Sequence, residues 1–241
     1  MCSSDLGVVA DHPLIRLDAL SLRVGGSGVQ TYARELLRAL PDAWPDARFV
    51  ASVERGLAGG SFGSLGVDPV RLVVDHGLVR KATAALRRGA PCDVLHGLDT
   101  DLPVRRPSGA ATVVTVHDLA LFDVPWAFDR AVGAAKRVLV ASAIRRADAV
   151  VCVSSFTAER VEARFGRTAT VVHEAAASEF APPNAEAVAA LRRRHALPEQ
   201  FVLHVGNLEP RKDTATLAAA ARSADLPLVL AGGALRRGPQ P

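Results

Sequence analysis

Apolar runs and amphipathic helical patterns alternate along nearly the whole chain, the signature of strands joined by helices. Residues 14–19 read as a short strand, and 29–40 (VQTYARELLRAL) as an amphipathic helix stopped by Pro41. Segments 47–53 and 70–74 read as strands, and 78–88 as a helix with basic residues on its outer side. The pattern continues with strands at 93–96 (DVLH) and 111–116 (ATVVTV) and a long helix over 126–146. Segment 149–153 (AVVCV) is an unbroken apolar run, expected of a strand buried on both faces. Ser154 or Ser155 then caps a helix reaching residue 165, and 170–172 is a further strand.

The texture changes at 175–184 (AAASEFAPPN), which has no periodicity and carries Pro182-Pro183, as a connection between domains does. Beyond it, Asn184 caps a helix over 185–195, and strand 201–205 (FVLHV), helix 214–224 and strand 228–231 (LVLA) make one βαβ unit. Parallel strands need such crossovers. The expected architecture is therefore α/β. It has a Rossmann-like domain at 13–180 with a parallel sheet, a connection and helix at 181–197, and the first βαβ unit of a second Rossmann-like domain at 198–241. A two-stranded sheet has open edges and cannot stand as a domain by itself, so the second domain is expected to be incomplete. Residues 1–6 look foreign: Cys2-Ser3-Ser4-Asp5-Leu6 matches what a common sequencing-adapter end encodes, so they are expected to be an assembly artefact, with the gene incomplete at both ends.

Composition narrows the classes. In 241 residues, 49% are apolar but only 5% aromatic, so Ala, Val and Leu fill the core, as suits α/β packing. The net charge of +4 rests on arginines scattered over helices, without interleaved aromatics, which gives nucleic-acid binding no support. Three distant cysteines, Cys2, Cys92 and Cys152, offer neither a disulfide framework nor zinc spacing, and fit a reducing cytoplasm. No apolar run reaches the roughly 18 residues of a membrane span, and no leader directs export. No H-E-x-x-H, G-x-S-x-G or Walker A pattern is present.

Three stretches could carry chemistry. Gly25-Gly26-Ser27-Gly28 lies between the first strand and first helix, where glycines let backbone N–H groups approach an anion beside a helix dipole. The same glycines also suit a turn needing positive φ, and the spacing is not the dinucleotide G-x-G-x-x-G. His117 and Asp118 follow the strand at 111–116, at the end where parallel sheets bind ligands. His117 could donate to a sugar hydroxyl or phosphate, and Asp118 could orient a hydroxyl acceptor, or both could satisfy the loop backbone. His96, ending DVLH, reads as structural. Arg211 and Lys212 stand before a helix capped by Asp213 or Thr214, where free N–H groups and the dipole favour an anion. Two cations there would suit a diphosphate, or be a solvated pair. Only three lysines occur (Lys81, Lys136, Lys212), and a Lys kept in an Arg-rich chain hints at a need for a compact ammonium. Arg192–Arg194 reads as a solvated helix face.

Taken in order, GGSGVQTYARELLRALP from Gly25, DVLHG from Asp93, VVTVHDLALFDVP from Val113, ADAVVCVSSFTAERV from Ala147 and FVLHVGNLEPRKD from Phe201 resemble the family 4 glycosyltransferases, retaining enzymes of GT-B architecture. The resemblance implies an N-terminal acceptor-binding domain and a C-terminal domain for a nucleotide diphosphate sugar. It also implies transfer of a hexosyl group, mannosyl being the first expectation, to a glycan or lipid-linked hydroxyl in cell-envelope polysaccharide synthesis. Gly25, Gly26 and Gly28 would shape a loop near the donor phosphates, His117 would contact the transferred sugar, Asp118 would lie towards the acceptor, and Arg211 and Lys212 would hold the diphosphate. No metal or other cofactor is implied, because protein cations neutralise the leaving group. A cytoplasmic enzyme is implied, with peripheral association at the inner membrane's cytoplasmic face allowed. Two departures stand out. VVHEAAASEF (171–180) replaces the family's Asn-Gly turn, and the family's E-x7-E stretch would fall beyond Pro241, so the 241-residue chain is expected to transfer little by itself. The alternatives are a non-catalytic module binding glycan or partner, and a nucleotide-dependent oxidoreductase, which the missing G-x-G-x-x-G and ribose-binding acid oppose.

Overall fold

The computed structural model describes residues 12–22, 28–54, 67–72, 82–83, 85–87, 90–176 and 180–233. The chain divides into two compact units, Met1–Ala175 and Ala176–Pro241. The adapter-like segment, Gly25 and Gly26, and most of the helix expected at 78–88 lie outside the described residues.

The first unit is a seven-stranded sheet in which every pairing is parallel. Its strands are β1 (Leu14–Asp18), β2 (Arg48–Glu54), β3 (Asp68–Leu72), β4 (Val94–Gly97), β5 (Ala111–Val116), β6 (Ala149–Cys152) and β7 (Thr170–Val171). The spatial order is β3-β2-β1-β4-β5-β6-β7. The chain winds outward from β1 through β2 to β3, then returns beside β1 with β4 and proceeds the other way. The carboxyl ends of β1 and β4 therefore flank a topological switch point, where open α/β sheets form their binding crevice. Gly97 closes β4 under the following loop: a Cβ there would lie 2.7 Å from the Asp101 carbonyl oxygen, too close for any side chain.

Two apolar clusters cover the sheet. One joins Leu17, Ala51 and Val53 of β1 and β2 to Ala33 and Leu37 of α1 (Gly28–Ala43). The other joins Leu95, Val114, Val116 and Cys152 to Val140 and Ile144 of α3 (Arg130–Arg146) and Val161 of α4 (Ser155–Phe165). A single helical turn, α2 (Ala120–Asp123), lies between β5 and α3.

Three local expectations need correction. Helix α1 does not stop before Pro41; the proline lies inside it, and the Trp44 N–H still bonds the Leu40 carbonyl at 2.9 Å. Proline removes one helical donor but leaves those after it intact. The long helix starts at Arg130 rather than Trp126, because Asp129 Oδ1 accepts from the Val132 N–H at 2.9 Å and fixes the start, while Trp126 sits in a 3₁₀ turn (Pro125–Ala127). Strand β6 is not buried on both faces: Val150 and Cys152 are buried, Val151 half-buried and Ala149 exposed. Its outer neighbour, β7, is only two residues long and pairs with Val151 and Cys152 alone. The cap of α4 resolves to Ser154, whose hydroxyl accepts from the Thr157 N–H, and Gly166 ends that helix in the left-handed conformation.

The second unit contains α5 (Ala185–Arg194), β8 (Val202–Val205), a 3₁₀ turn (Pro210–Lys212), α6 (Thr214–Ser223) and β9 (Leu228–Ala231). Asn184 caps α5 through the Ala187 N–H, and β8 and β9 pair in parallel across α6. Among the described residues no helix is long and apolar enough to cross a membrane.

Candidate functional site

Strand β5 delivers His117 to the carboxyl edge of the first sheet, and four other segments hold the residue there. The imidazole Nε2 donates to the Leu98 carbonyl, after β4, at 2.9 Å. Its Nδ1 faces Glu174 Oε1, after β7, at 3.4 Å. The Tyr32 ring of α1 meets it edge-on, with centroids 4.7 Å apart and planes at 81°. The Thr157 hydroxyl, in the first turn of α4, donates to the His117 carbonyl at 3.3 Å. Asp118 is exposed, and its Oδ1 accepts from the Ala120 N–H at 3.0 Å, so the carboxylate also shapes the turn into α2.

A polar chain runs beneath this histidine. The Tyr32 hydroxyl pairs with Thr115 Oγ1 at 3.1 Å, and the same oxygen pairs with His96 Nε2 at 2.8 Å. Burial pushes His96 down to about 4, so the ring is neutral at physiological pH, and burial raises the Tyr32 phenol above its ordinary value. One hydroxyl joins the two polar side chains. Thr115→Val keeps the shape and removes the shared partner. It is expected to cost about 1–3 kcal/mol, the desolvation penalty of buried groups left unpaired, read as a lower denaturation midpoint. An unchanged midpoint would show that the chain contributes nothing to stability.

At the switch point itself, Asp18 ends β1 with its side chain wholly buried and accepts a hydrogen bond from Arg87. Gly28 opens α1, and a Cβ there would meet nothing within 4 Å among the described residues.

In the second unit, Gly206 (φ 144°) and Gly232 follow the carboxyl ends of β8 and β9. The backbones approach so closely that a Cβ on Gly232 would overlap the Gly206 carbonyl. Further along the chain after Gly206, the Pro210–Lys212 turn carries the two cations. Arg211 Nε donates to Glu209 Oε2 at 2.7 Å, so one cation already has a carboxylate partner. Asp213, in the left-handed conformation (φ 46°), caps α6 by accepting from the Thr216 N–H at 3.3 Å, which gives that helix start an anion of its own. Lys212 is exposed, and among the described residues it makes no ion pair.

The structure thus brings His117 and Asp118 together in one unit and Arg211 and Lys212 together in the other. Sequence reasoning passed over Tyr32, Thr115, Glu174, Glu209 and Gly232. Tyr32 is the only tyrosine of the chain, a signal that could have singled it out.

The family model for Glycosyltransferase Family 4 matches residues 26–175. Among solved structures, UGT89C1 of Arabidopsis thaliana, crystallised with UDP, is similar with a TM-score of 0.51 at 15% identity, over 93% of this chain and 66% of that one. The chain therefore spans slightly less than two thirds of that protein's length. At this identity the likeness shows the fold, an α/β Rossmann-like architecture of GT-B type. No curated protein matches the sequence.

Proposed function

The chain belongs to Glycosyltransferase Family 4, and from that premise we propose that the protein it represents is a retaining hexosyltransferase. The donor is a nucleotide diphosphate sugar, mannosyl being the first candidate. The acceptor is a hydroxyl of a glycan or lipid-linked intermediate in polysaccharide assembly, handled in the cytoplasm or at the inner face of the membrane. The observation that carries this reading is Lys212: an exposed ammonium without an ion-pair partner among the described residues, in the 3₁₀ turn that connects the end of β8 to the start of α6.

Lys212 and Arg211 would bind the diphosphate and stabilise its charge as it departs, the kind of preorganised electrostatic help that matters most in transfer. Arg211 would exchange Glu209 for phosphate oxygens on binding. Protein cations in that role need no metal ion. His117 would contact the transferred sugar, Asp118 would lie towards the acceptor, and Gly25, Gly26 and Gly28 would let backbone come near the donor phosphates. In the full-length protein, Lys212→Ala is expected to lower turnover on the order of 10²-fold, as loss of other charge-stabilising donors does. The check is donor consumption with UDP-glucose and GDP-mannose as probes, with the anomeric configuration of the product read by NMR. Unchanged turnover would remove Lys212 from the mechanism, and an inverted product would remove the retaining assignment.

A second reading is a non-catalytic module that binds a glycan or partner. The Arg211–Glu209 pair and the Asp213 cap favour it, because each meets internally a charge that a diphosphate would otherwise meet. Calorimetric titration with both nucleotide sugars separates the readings, since only the transferase reading requires either to bind.

A further inference from the structure

Glu174 belongs to a stretch, VVHEAAASEF, that the sequence marks only as a departure from its relatives. The structure gives it a definite place. The Val172 N–H bonds the Cys152 carbonyl at 2.9 Å, which extends the β6–β7 pairing by one residue and carries the chain to the carboxyl edge of the sheet. Two residues later the Glu174 carboxylate faces His117 Nδ1 at 3.4 Å. The side chains differ sharply in exposure, 46% for Glu174 and 11% for His117, so the carboxylate closes the solvent side of a mostly enclosed ring.

An imidazole ring can rotate about its bond to Cβ, and each half-turn exchanges nitrogen and carbon positions. The Leu98 carbonyl accepts at Nε2 on one side of His117, the Tyr32 ring packs nearly perpendicular to the imidazole, and Glu174 stands at Nδ1. With both ring nitrogens protonated, Nε2–H donates to Leu98 and Nδ1–H to Glu174, and a half-turn would place carbon against both oxygens and lose both hydrogen bonds. Resting on the assignment of His117 to the transferred sugar, we propose that Glu174 is a positioning residue for His117: its carboxylate fixes the rotation of the imidazole and so the atoms the ring presents at the edge of β5. Glu174 acts through the histidine and need not touch the donor.

The test is the long-range nitrogen–proton NMR spectrum of the histidine rings in the 241-residue chain, comparing wild type with Glu174→Ala and with a control, Glu159→Ala, on the exposed side of α4. His117→Gln assigns the resonances. Glu174→Ala is expected to shift the His117 Nδ1 and ring-proton resonances, leave the His96 ring where it was, and keep the melting temperature near wild type, since Glu174 is half exposed. Glu159→Ala is expected to shift none of them. His117 resonances unmoved by Glu174→Ala, or moved equally by the control, would overturn the proposal. The spectrum needs no donor, so it decides the positioning role independently of the transferase reading. In the full-length protein with UDP-glucose or GDP-mannose, Glu174→Ala is further expected to lower kcat on the order of 10- to 100-fold with KM little changed, the scale of a misplaced reacting geometry. A wild-type protein with no transfer activity would sink the transferase reading and leave the ring result standing.

Discussion

Arg87→Met is expected to cost the fold about 3–5 kcal/mol, the scale of leaving one member of a buried ion pair without its partner. The Asp18 side chain is wholly buried and Arg87 is only 12% exposed, so water cannot replace the lost guanidinium. Methionine keeps much of the aliphatic length and isolates the charge effect. Denaturant unfolding at pH 7 should show a lower midpoint with an unchanged slope, because the surface exposed on unfolding is nearly the same. Adding Asp18→Asn should recover part of the loss, since neither charge then remains buried. A loss below about 1 kcal/mol, the ceiling for a solvent-exposed pair, would show that Asp18 holds its charge through its other contacts. The location makes the pair more than a stability device. Asp18 ends β1 at the switch point, and Arg87 reaches it from the segment between β3 and β4, so the pair ties that segment to the mouth of the crevice.

Strands that read clearly in the sequence are those whose ends coincide with the ends of an apolar run. ATVVTV and LVLA coincide with β5 and β9 residue for residue. Where one polar side chain decides, the apolar pattern misleads: Asp129 sets the start of α3 three residues after a tryptophan that looked helical. Sheet order was not legible, because periodicity reports how a segment is buried and not which segment lies beside it. The same limit explains the site. His117 and Asp118 were visible, since both follow directly from where a strand ends. Their surroundings were not: Tyr32 and Thr115 are 83 positions apart and meet only because β4 and β5 stack beside β1. Glu209 is a different case, two residues from Arg211. Side chains at that spacing do not face each other on a helix, but Glu209 is extended (φ −112°, ψ 148°) and the 3₁₀ turn brings the pair together.

Acidification from pH 7.5 to 4.5 is expected to remove on the order of 3 kcal/mol of stability through His96 alone. Burial holds its folded-state value at about 4, against 6.5 for an unburied ring. Between those values the unfolded chain binds a proton that the folded chain refuses, so unfolding is favoured as pH falls. The contribution is fully present above about pH 6.5 and is lost progressively towards pH 4. Asp148 does not confuse the measurement. Burial tends to raise its carboxyl, but hydrogen bonds from Thr112 and Arg106 outweigh burial and hold it below its ordinary 3.8, so its contribution is lost only at lower pH. Denaturant midpoints across this range should fall steeply for the wild type and less so for His96→Gln, the difference in slope isolating the histidine. Equal slopes would mean that His96 takes up its proton in the folded state. The consequence reaches the site through one hydroxyl. Thr115 binds both His96 and Tyr32, and the Tyr32 ring packs against His117. The folded chain refuses that proton until about pH 4, so a ligand held through His117 is expected to bind more weakly by this route only as the pH approaches 4.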